Sequence, residues 1–130
     1  MPLKPNPVGW FEIPVGDLAR AKAFYETTLE THIDLHEMPA ADGGTVKMGW
    51  FAMSEEALGA TGSLVEHQGY KPSMDGVVIY FSVADIVGAL ARAEASGGHV
   101  IVPETSIGEH GFFAWFSDTE GNRVALHRRA

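Results

Sequence analysis

The sequence predicts an α+β fold in which two successive βαβββ modules form a curved mixed sheet that bears a cleft. Strand-like and helix-like segments follow one another in the order strand, helix, strand, strand, strand, and the same order then begins again. An aspartate also stands at the helix-capping position of each half, Asp17 in the first and Asp85 in the second. Because element order and cap position both repeat, we expect an internal duplication, although few aligned residues are identical.

The first module is predicted to span residues 7–67. Residues 8–15 alternate between two faces as a strand does, and Pro14 indicates the end of that strand or a sheet edge. After Asp17, apolar side chains recur at helical spacing at Leu18, Ala21, Tyr25 and Leu29. Three further strands are predicted, at residues 31–38, 45–53 and 61–67.

The second module is predicted to span residues 76–128. It begins with the apolar strand GVVIYFSV at residues 76–83, and the helix that starts after Asp85 ends at Gly97 and Gly98. Strands are then predicted at residues 99–104, 111–117 and 122–128.

Length and composition limit the kinds of protein that this chain can be. Its 130 residues, 45% of them hydrophobic, suit one domain over residues 1–130. The net charge of -8 repels nucleic acids and anionic lipid surfaces, so neither is an expected partner. No apolar run reaches the ~20 residues of a membrane span, and the start MPLKPNP is not an apolar signal region, so the expected location is the cytoplasm. Because the chain contains no cysteine, disulfides and thiolate ligands are excluded.

The last predicted strand has two unequal faces and follows a strongly specified turn, DTEGN at residues 118–122. Val124 and Leu126 share the face that must pack on the core, so a functional site lies on the face of Ala125 and His127. A hairpin closed by this turn would bring three pairs opposite each other: Ser117 with Arg123, Trp115 with Ala125, and Phe113 with His127.

The chain resembles the vicinal oxygen chelate superfamily. The resemblance rests on the doubled element order, on DLARAKAFY at residues 17–25 and on the closing DTEGNRVALH at residues 118–127, and it covers nearly the whole chain. This superfamily includes glyoxalase I (lactoylglutathione lyase), extradiol dioxygenases, and fosfomycin- and bleomycin-resistance proteins. The resemblance implies a concave cleft that binds a small molecule, and commonly a homodimer.

The positions that carry metal ligands in the metal-dependent relatives do not carry them here. In those relatives a histidine usually stands seven residues before the capping aspartate of each module, and a glutamate three residues after the closing asparagine. These positions are Trp10, Val78 and Ala125. The remaining ligand would come from residues 61–66, where Glu66 is the one carboxylate. Since a catalytic divalent ion normally needs about three protein ligands, we expect neither a metal nor another cofactor.

An aromatic wall with a few polar groups takes the place of the metal ligands. Such a lining suits an apolar or aromatic small molecule. The predicted ligand-binding residues are Trp10, Glu12, Trp50, Tyr80, Trp115 and His127. Glu12 and His127 are also the candidates for accepting a proton in catalysis.

Several alternatives remain open at this point. Trp10 can simply fill a vacant cavity. The chain can be a metal-dependent lyase, isomerase or dioxygenase with a rearranged site drawn from Glu12, Glu66, His110 and His127. The alternating His32, Asp34 and His36 have a spacing that can chelate, although a solvent-facing strand surface explains them as well. A module that binds another protein and no ligand is the third alternative.

Overall fold

A computed structural model describes residues 6–130 of the chain. The predicted domain also includes residues 1–5, which lie outside the described residues. The elements are β1 (Phe11–Pro14), α1 (Leu18–Leu29), β2 (Ile33–Pro39), β3 (Thr45–Phe51), β4 (Gly62–Glu66), β5 (Tyr80–Ser82), α2 (Ile86–Ala95), β6 (His99–Ser106), β7 (Phe112–Ser117) and β8 (Arg123–Arg128), with a short 3-10 helix at Gly108–His110. Among these residues, neither helix is long and apolar enough to cross a membrane.

The strands form two sheets of four with the same topology. Their orders are β1-β4-β3-β2 and β5-β8-β7-β6. In each sheet the first strand pairs in parallel with the last, and the other pairs are antiparallel. This repetition confirms the predicted α+β fold of two βαβββ modules.

The two helix caps repeat as closely as the sheets do. Asp17 and Asp85 have the same extended φ of -136°, and each side chain accepts a hydrogen bond of 3.0 Å from the backbone N–H three residues later. Capping carboxylates satisfy N–H groups that the helix itself leaves unpaired. The predicted starts of both helices are therefore confirmed.

The fifth strand is shorter than predicted. It begins at Tyr80, and Val77 is 86% exposed. The N–H of Arg123, at the start of β8, donates to the carbonyl of Ser73 at 3.3 Å. Because Ser73, in the connector between the modules, takes this position at the edge of β8, residues 76–78 do not extend the ladder as their apolar pattern predicts. The ladder reaches back only to Ile79, whose carbonyl accepts from the N–H of Ala125 at 2.9 Å.

Both modules contribute to one hydrophobic core. Each helix covers one face of its own sheet, and the two helices contact each other. Aromatic rings from both modules meet there, with Phe81 of the second within 5.8 Å of Phe11, Tyr25 and Phe51 of the first. The sheet faces opposite the helices are left open, and we call them the first and second open faces.

The turn at residues 118–122, which we call the Asp118 turn, joins the modules through buried polar groups. Asp118 Oδ2 accepts hydrogen bonds from the Tyr25 hydroxyl at 2.5 Å and from Asn122 Nδ2 at 2.9 Å. Asn122 Nδ2 also donates to the carbonyl of Pro14 at 2.7 Å. Burial, followed by the charge of Asp118, raises the pKa of Tyr25 well above its usual value, so this hydroxyl keeps its proton. A turn of the second module is thus bonded to both β1 and α1 of the first.

Candidate functional site

A cleft of about 960 Å³ lies on the first open face. Its floor comes from β1 and β3, one wall from the hairpin between β2 and β3, and the other wall from the turn after β4. The lining residues are Trp10, Glu12, Met38, Pro39, Ala40, Ala41, Asp42, Val46, Met48, Trp50, His67, Gln68, Gly69 and Tyr70. The cleft therefore has walls from the first module and the start of the connector.

The aromatic rings of Trp10 and Trp50 form the floor of the cleft. Trp10 meets Trp50 edge to face, with ring centroids 5.7 Å apart and an angle of 78° between the planes. The imidazole of His36 stacks on Trp50 at 4.0 Å. Trp10 is 40% exposed, so it is not a side chain that only fills the core. A flat ring can contact these surfaces by stacking or edge-to-face packing.

Polar contacts connect one wall of the cleft to the floor and to the opposite wall. The Tyr70 hydroxyl donates to Glu12 Oε1 at 2.9 Å, and this hydrogen bond, with the charge of Glu12, raises the pKa of Tyr70. His67 Nε2 lies 3.5 Å from Asp42 Oδ2, and its ring is stacked with that of Tyr70 at 6.1 Å. Glu12 is exposed, so the cleft presents a carboxylate beside its aromatic floor.

The second open face carries a separate aromatic group. Trp115 Nε1 donates to the Tyr80 hydroxyl oxygen at 3.0 Å, and the Arg123 guanidinium lies 4.8 Å from the centre of the Trp115 ring. Ala125 is completely buried beside them. The predicted pairing of Trp115 with Ala125, and of the other two hairpin pairs, is confirmed by the register of β7 and β8.

His127 shares a strand face with Ala125 and pairs with Phe113, whose ring lies 6.2 Å from that of Trp115. Its Nε2 is 2.7 Å from the carbonyl oxygen of His110. A carbonyl oxygen only accepts, so Nε2 donates and Nδ1 carries the lone pair of the neutral ring. His127 borders a depression formed with Leu58, Ser82 and Arg129. Within one chain, the six predicted lining residues thus fall into two groups: Trp10, Glu12 and Trp50 in the cleft, and Tyr80, Trp115 and His127 on the second open face.

The structure also identifies the residue of the first module that is equivalent to Ala125. Ala125 pairs with Tyr80 in the parallel ladder of the second module, and Ser63 pairs with Glu12 in that of the first. Sequence reasoning missed Ser63 because the register of β4 was not defined by any turn signal. Glu66 is corrected as a candidate ligand, since it points to the helix side of the sheet and accepts a 2.8 Å hydrogen bond from the N–H of Leu18.

The other histidines do not gather into a metal centre. His32 Nε2 lies 2.8 Å from Asp34 Oδ1 at the surface, whereas His36 stacks on Trp50. His110 is exposed in the 3-10 helix. Over residues 6–130, no group of three histidine, aspartate or glutamate side chains is placed to hold a metal ion.

Two βαβββ modules with matching sheets, packed helix to helix and each with an open face, define the architecture of this α+β protein. A model of the Glyoxalase/Bleomycin resistance protein/Dioxygenase superfamily matches residues 8–126. The chain belongs to this superfamily. A search of curated proteins gives no match.

Solved structures with the same fold come from several kinds of protein. TnmS3, an antibiotic binding protein from Streptomyces sp. CB03234, is 25% identical with a TM-score of 0.63, and the match covers 98% of this chain and 99% of that one. A mutant of the fosfomycin resistance protein FosX from Listeria monocytogenes, complexed with Mn(II) and 1S,2S-dihydroxypropylphosphonic acid, is 17% identical with a TM-score of 0.65, covering 92% and 90%.

A glyoxalase I mutant from Zea mays is 19% identical with a TM-score of 0.66, and the match covers 94% of this chain. The chain spans only 46% of the length of that enzyme. At these identities the likeness to the enzyme and to FosX shows a shared fold. It does not show a shared chemistry, which depends on the residues of this chain.

Proposed function

We propose that this protein binds a planar, positively charged aromatic small molecule in the cleft of the first open face, without a metal. The observation that carries the proposal is the floor of Trp10 and Trp50, with His36 packed against Trp50 and the carboxylate of Glu12 beside the floor. Trp rings attract cations through their faces, with a contribution of about 0.5 to 2 kcal/mol. The net charge of -8 favours the approach of cations as well. TnmS3, which has the same fold, is described as an antibiotic binding protein, which also supports binding of a small molecule.

Replacing Trp10 by alanine is expected to weaken the binding of N-methylquinolinium, a flat aromatic cation, by about tenfold, the equivalent of ~1.4 kcal/mol. The variant loses one of the two indoles that meet edge to face but keeps the sheet, because Trp10 is largely outside the core. Isothermal titration calorimetry measures the affinity without using tryptophan emission. Val87→Ala, on the exposed side of α2, is the matched control and should bind as the wild type does.

Two other results would contradict the proposal. Unchanged affinity in Trp10→Ala would remove Trp10 from the site, especially if the free energy of unfolding fell by the ~3 to 5 kcal/mol of a lost core aromatic. Loss of binding after treatment with a chelator would favour the metal-dependent alternative, since the proposed contacts need no metal.

Replacing Glu12 by glutamine should discriminate between a charged and a neutral ligand with the same ring system. We expect the affinity for N-methylquinolinium to fall about fivefold, since a charge pair near 4 Å in water contributes about 1 kcal/mol. Quinoline, which is neutral at pH 7.5, should bind the variant and the wild type equally. Equal losses for both ligands would show that Glu12 acts through shape and not through charge.

We further propose a homodimer in which the first open face of one copy meets the second open face of the other. Exposed Trp10 and Met38 lie on the first face and exposed Tyr80 on the second, and such apolar surface favours association. Glu12 on one face and Arg123 on the other are complementary in charge. This assembly would bring Tyr80 and Trp115 to the cleft and complete the predicted lining.

Light scattering on a size-exclusion column should therefore report about twice the chain mass of 14.0 kDa at micromolar concentration. Arg123→Glu should shift the protein to a monomer, because it places like charges opposite each other. Glu94→Arg, a charge reversal on the exposed side of α2, serves as the control and should remain a dimer. A monomeric wild type would overturn the assembly but leave the cleft of the single chain in place.

A further inference from the structure

The floor of the cleft contains two buried polar atoms that have no hydrogen-bond partner among residues 6–130, Ser63 Oγ and Trp50 Nε1. Ser63 is completely buried, and the indole nitrogen of Trp50 is buried although part of its ring lines the cleft. More than about 90% of buried polar groups in proteins have a partner, and leaving one unpaired is destabilising. The two atoms belong to residues that are paired on neighbouring strands at the candidate site.

The two atoms belong to one row of side chains across the sheet. In the register of the strands, Glu12 of β1 pairs with Ser63 of β4, and Ser63 pairs with Trp50 of β3. Directly paired residues project from the same face, with Cβ atoms about 4.5 to 5.5 Å apart. Since Glu12 and Trp50 both line the cleft, Ser63 lies between two lining residues and just beneath the surface.

Trp10 is an exposed ring that lies next to this row. Trp10 stands two residues before Glu12 on the same face, leans edge to face against Trp50 and is 40% exposed. It precedes the first residue of β1, so its rotation breaks no ladder hydrogen bond.

The chemistry of the row determines what a ligand must present to it. An indole N–H can only donate and a hydroxyl can donate, so the atom that faces both is an acceptor. The ionised carboxylate of Glu12 can only accept, so the neighbouring ligand atom is a donor. An anionic acceptor is disfavoured beside Glu12, which leaves a neutral carbonyl oxygen next to an N–H.

We propose that Ser63 and Trp50 form a hydrogen-bonding subsite for a carbonyl oxygen, and that the natural ligand is a flat, positively charged aromatic molecule with an adjacent N–H and C=O on one edge, as in a lactam. This inference rests on the proposed binding function and adds the ligand edge that the cleft selects. In the free protein, these two atoms either bond to water or remain unpaired. In the complex, the carbonyl oxygen of the ligand accepts a hydrogen bond from each of them.

The test compares two probes in matched variants by calorimetry. Quinolin-2-one carries the N–H and C=O edge, whereas N-methylquinolinium has a similar ring without any acceptor. Ser63→Ala should weaken quinolin-2-one about fivefold, the equivalent of ~1 kcal/mol, and leave N-methylquinolinium unchanged. Trp50→Phe should lower the affinity for quinolin-2-one more than that for N-methylquinolinium, because it removes the N–H as well as part of the ring.

Thr28→Val is the control for removing a buried hydroxyl. Thr28 Oγ1 is also buried without a partner among residues 6–130, but it lies in α1 and away from the cleft. This variant should bind both probes as the wild type does. In addition, the indole N–H resonance of Trp50 should move downfield in nitrogen-proton correlation spectra when quinolin-2-one is added.

The outcomes separate this subsite from the wider proposal. If the wild type binds N-methylquinolinium but Ser63→Ala binds quinolin-2-one as tightly as the wild type does, the subsite is overturned and the binding function stands. If the wild type binds neither probe, both proposals are overturned. If Thr28→Val reproduces the loss seen in Ser63→Ala, the loss comes from general destabilisation and the subsite is again overturned.

Discussion

Asp118→Ala is expected to lower the free energy of unfolding by about 3 to 5 kcal/mol, the largest effect of any single substitution considered for this chain. The Asp118 carboxylate accepts four hydrogen bonds, from the Tyr25 hydroxyl, the N–H groups of Glu120 and Asn122, and Asn122 Nδ2. Removal leaves the completely buried Tyr25 hydroxyl without its acceptor, and that desolvation is not compensated. Denaturation in urea, followed by far-ultraviolet circular dichroism, measures the loss.

Asp85→Ala is the matched control for this prediction. It removes an aspartate that accepts one hydrogen bond at the exposed end of α2, and such a cap contributes about 0.5 to 2 kcal/mol. A loss in Asp118→Ala no greater than that in Asp85→Ala would mean that the buried network contributes little. Since folded domains are stable by only about 5 to 15 kcal/mol, the expected loss is a large share of the total.

Glu120 is expected to make the stability of the protein depend on acid pH. Burial raises the pKa of this carboxyl, but hydrogen bonds from Arg20, Thr119 and the N–H groups of Asp17 and Gly16 outweigh it, and the folded pKa falls from 4.5 to about 2. A carboxyl whose pKa is depressed on folding stabilises the protein at pH values above its unfolded pKa. That contribution is lost as the pH falls from 4.5 towards 2.

The size of this effect follows from the shift and from the exposure of the partner. The shift corresponds to at most ~3 kcal/mol, at 1.36 kcal/mol for each pKa unit. Because Arg20 is 54% exposed and its pairing with Glu120 is screened, we expect about 2 kcal/mol. Urea denaturation of wild type and Glu120→Gln at pH 7, 5, 4 and 3 should give a difference in unfolding free energy that is constant down to about pH 5 and then shrinks. A difference that stays constant down to pH 3 would rule out this role of Glu120.

Local signals in the sequence were sufficient for the parts of the fold that depend on neighbouring residues. Asp17 and Asp85 define helix starts because a capping side chain bonds to the backbone three residues away. The Asp118 turn determines the register of β7 and β8, since a tight hairpin allows one pairing for each turn type. Both features therefore follow from residues that are close together in the chain.

Features that depend on contacts between distant residues could not be predicted in the same way. Glu12 receives its hydrogen bond from Tyr70, which is 58 residues away and in a connector without periodicity. The parallel pairing that aligns Ser63 with Glu12 passes through a helix and two strands, so no turn determines its register. The face to which Glu66 points follows from that same register, and for this reason the sequence could not show that Glu66 lies on the helix side.

The position of the Asp118 turn also bears on how the chain acquires its structure during synthesis. The N–H groups of Gly16 and Asp17, just before α1, donate to Glu120, and the carbonyl of Pro14 is bonded to Asn122, 108 residues later. Residues 118–122 leave the ribosome long after the first module, which therefore emerges with its helix entrance and a strand-end carbonyl still bonded to water. Contacts this distant also impose a high loop-closure entropy and slow folding. We therefore expect that the first module does not complete its contacts until the Asp118 turn has been synthesised. Until then, its aromatic side chains are accessible to chaperones.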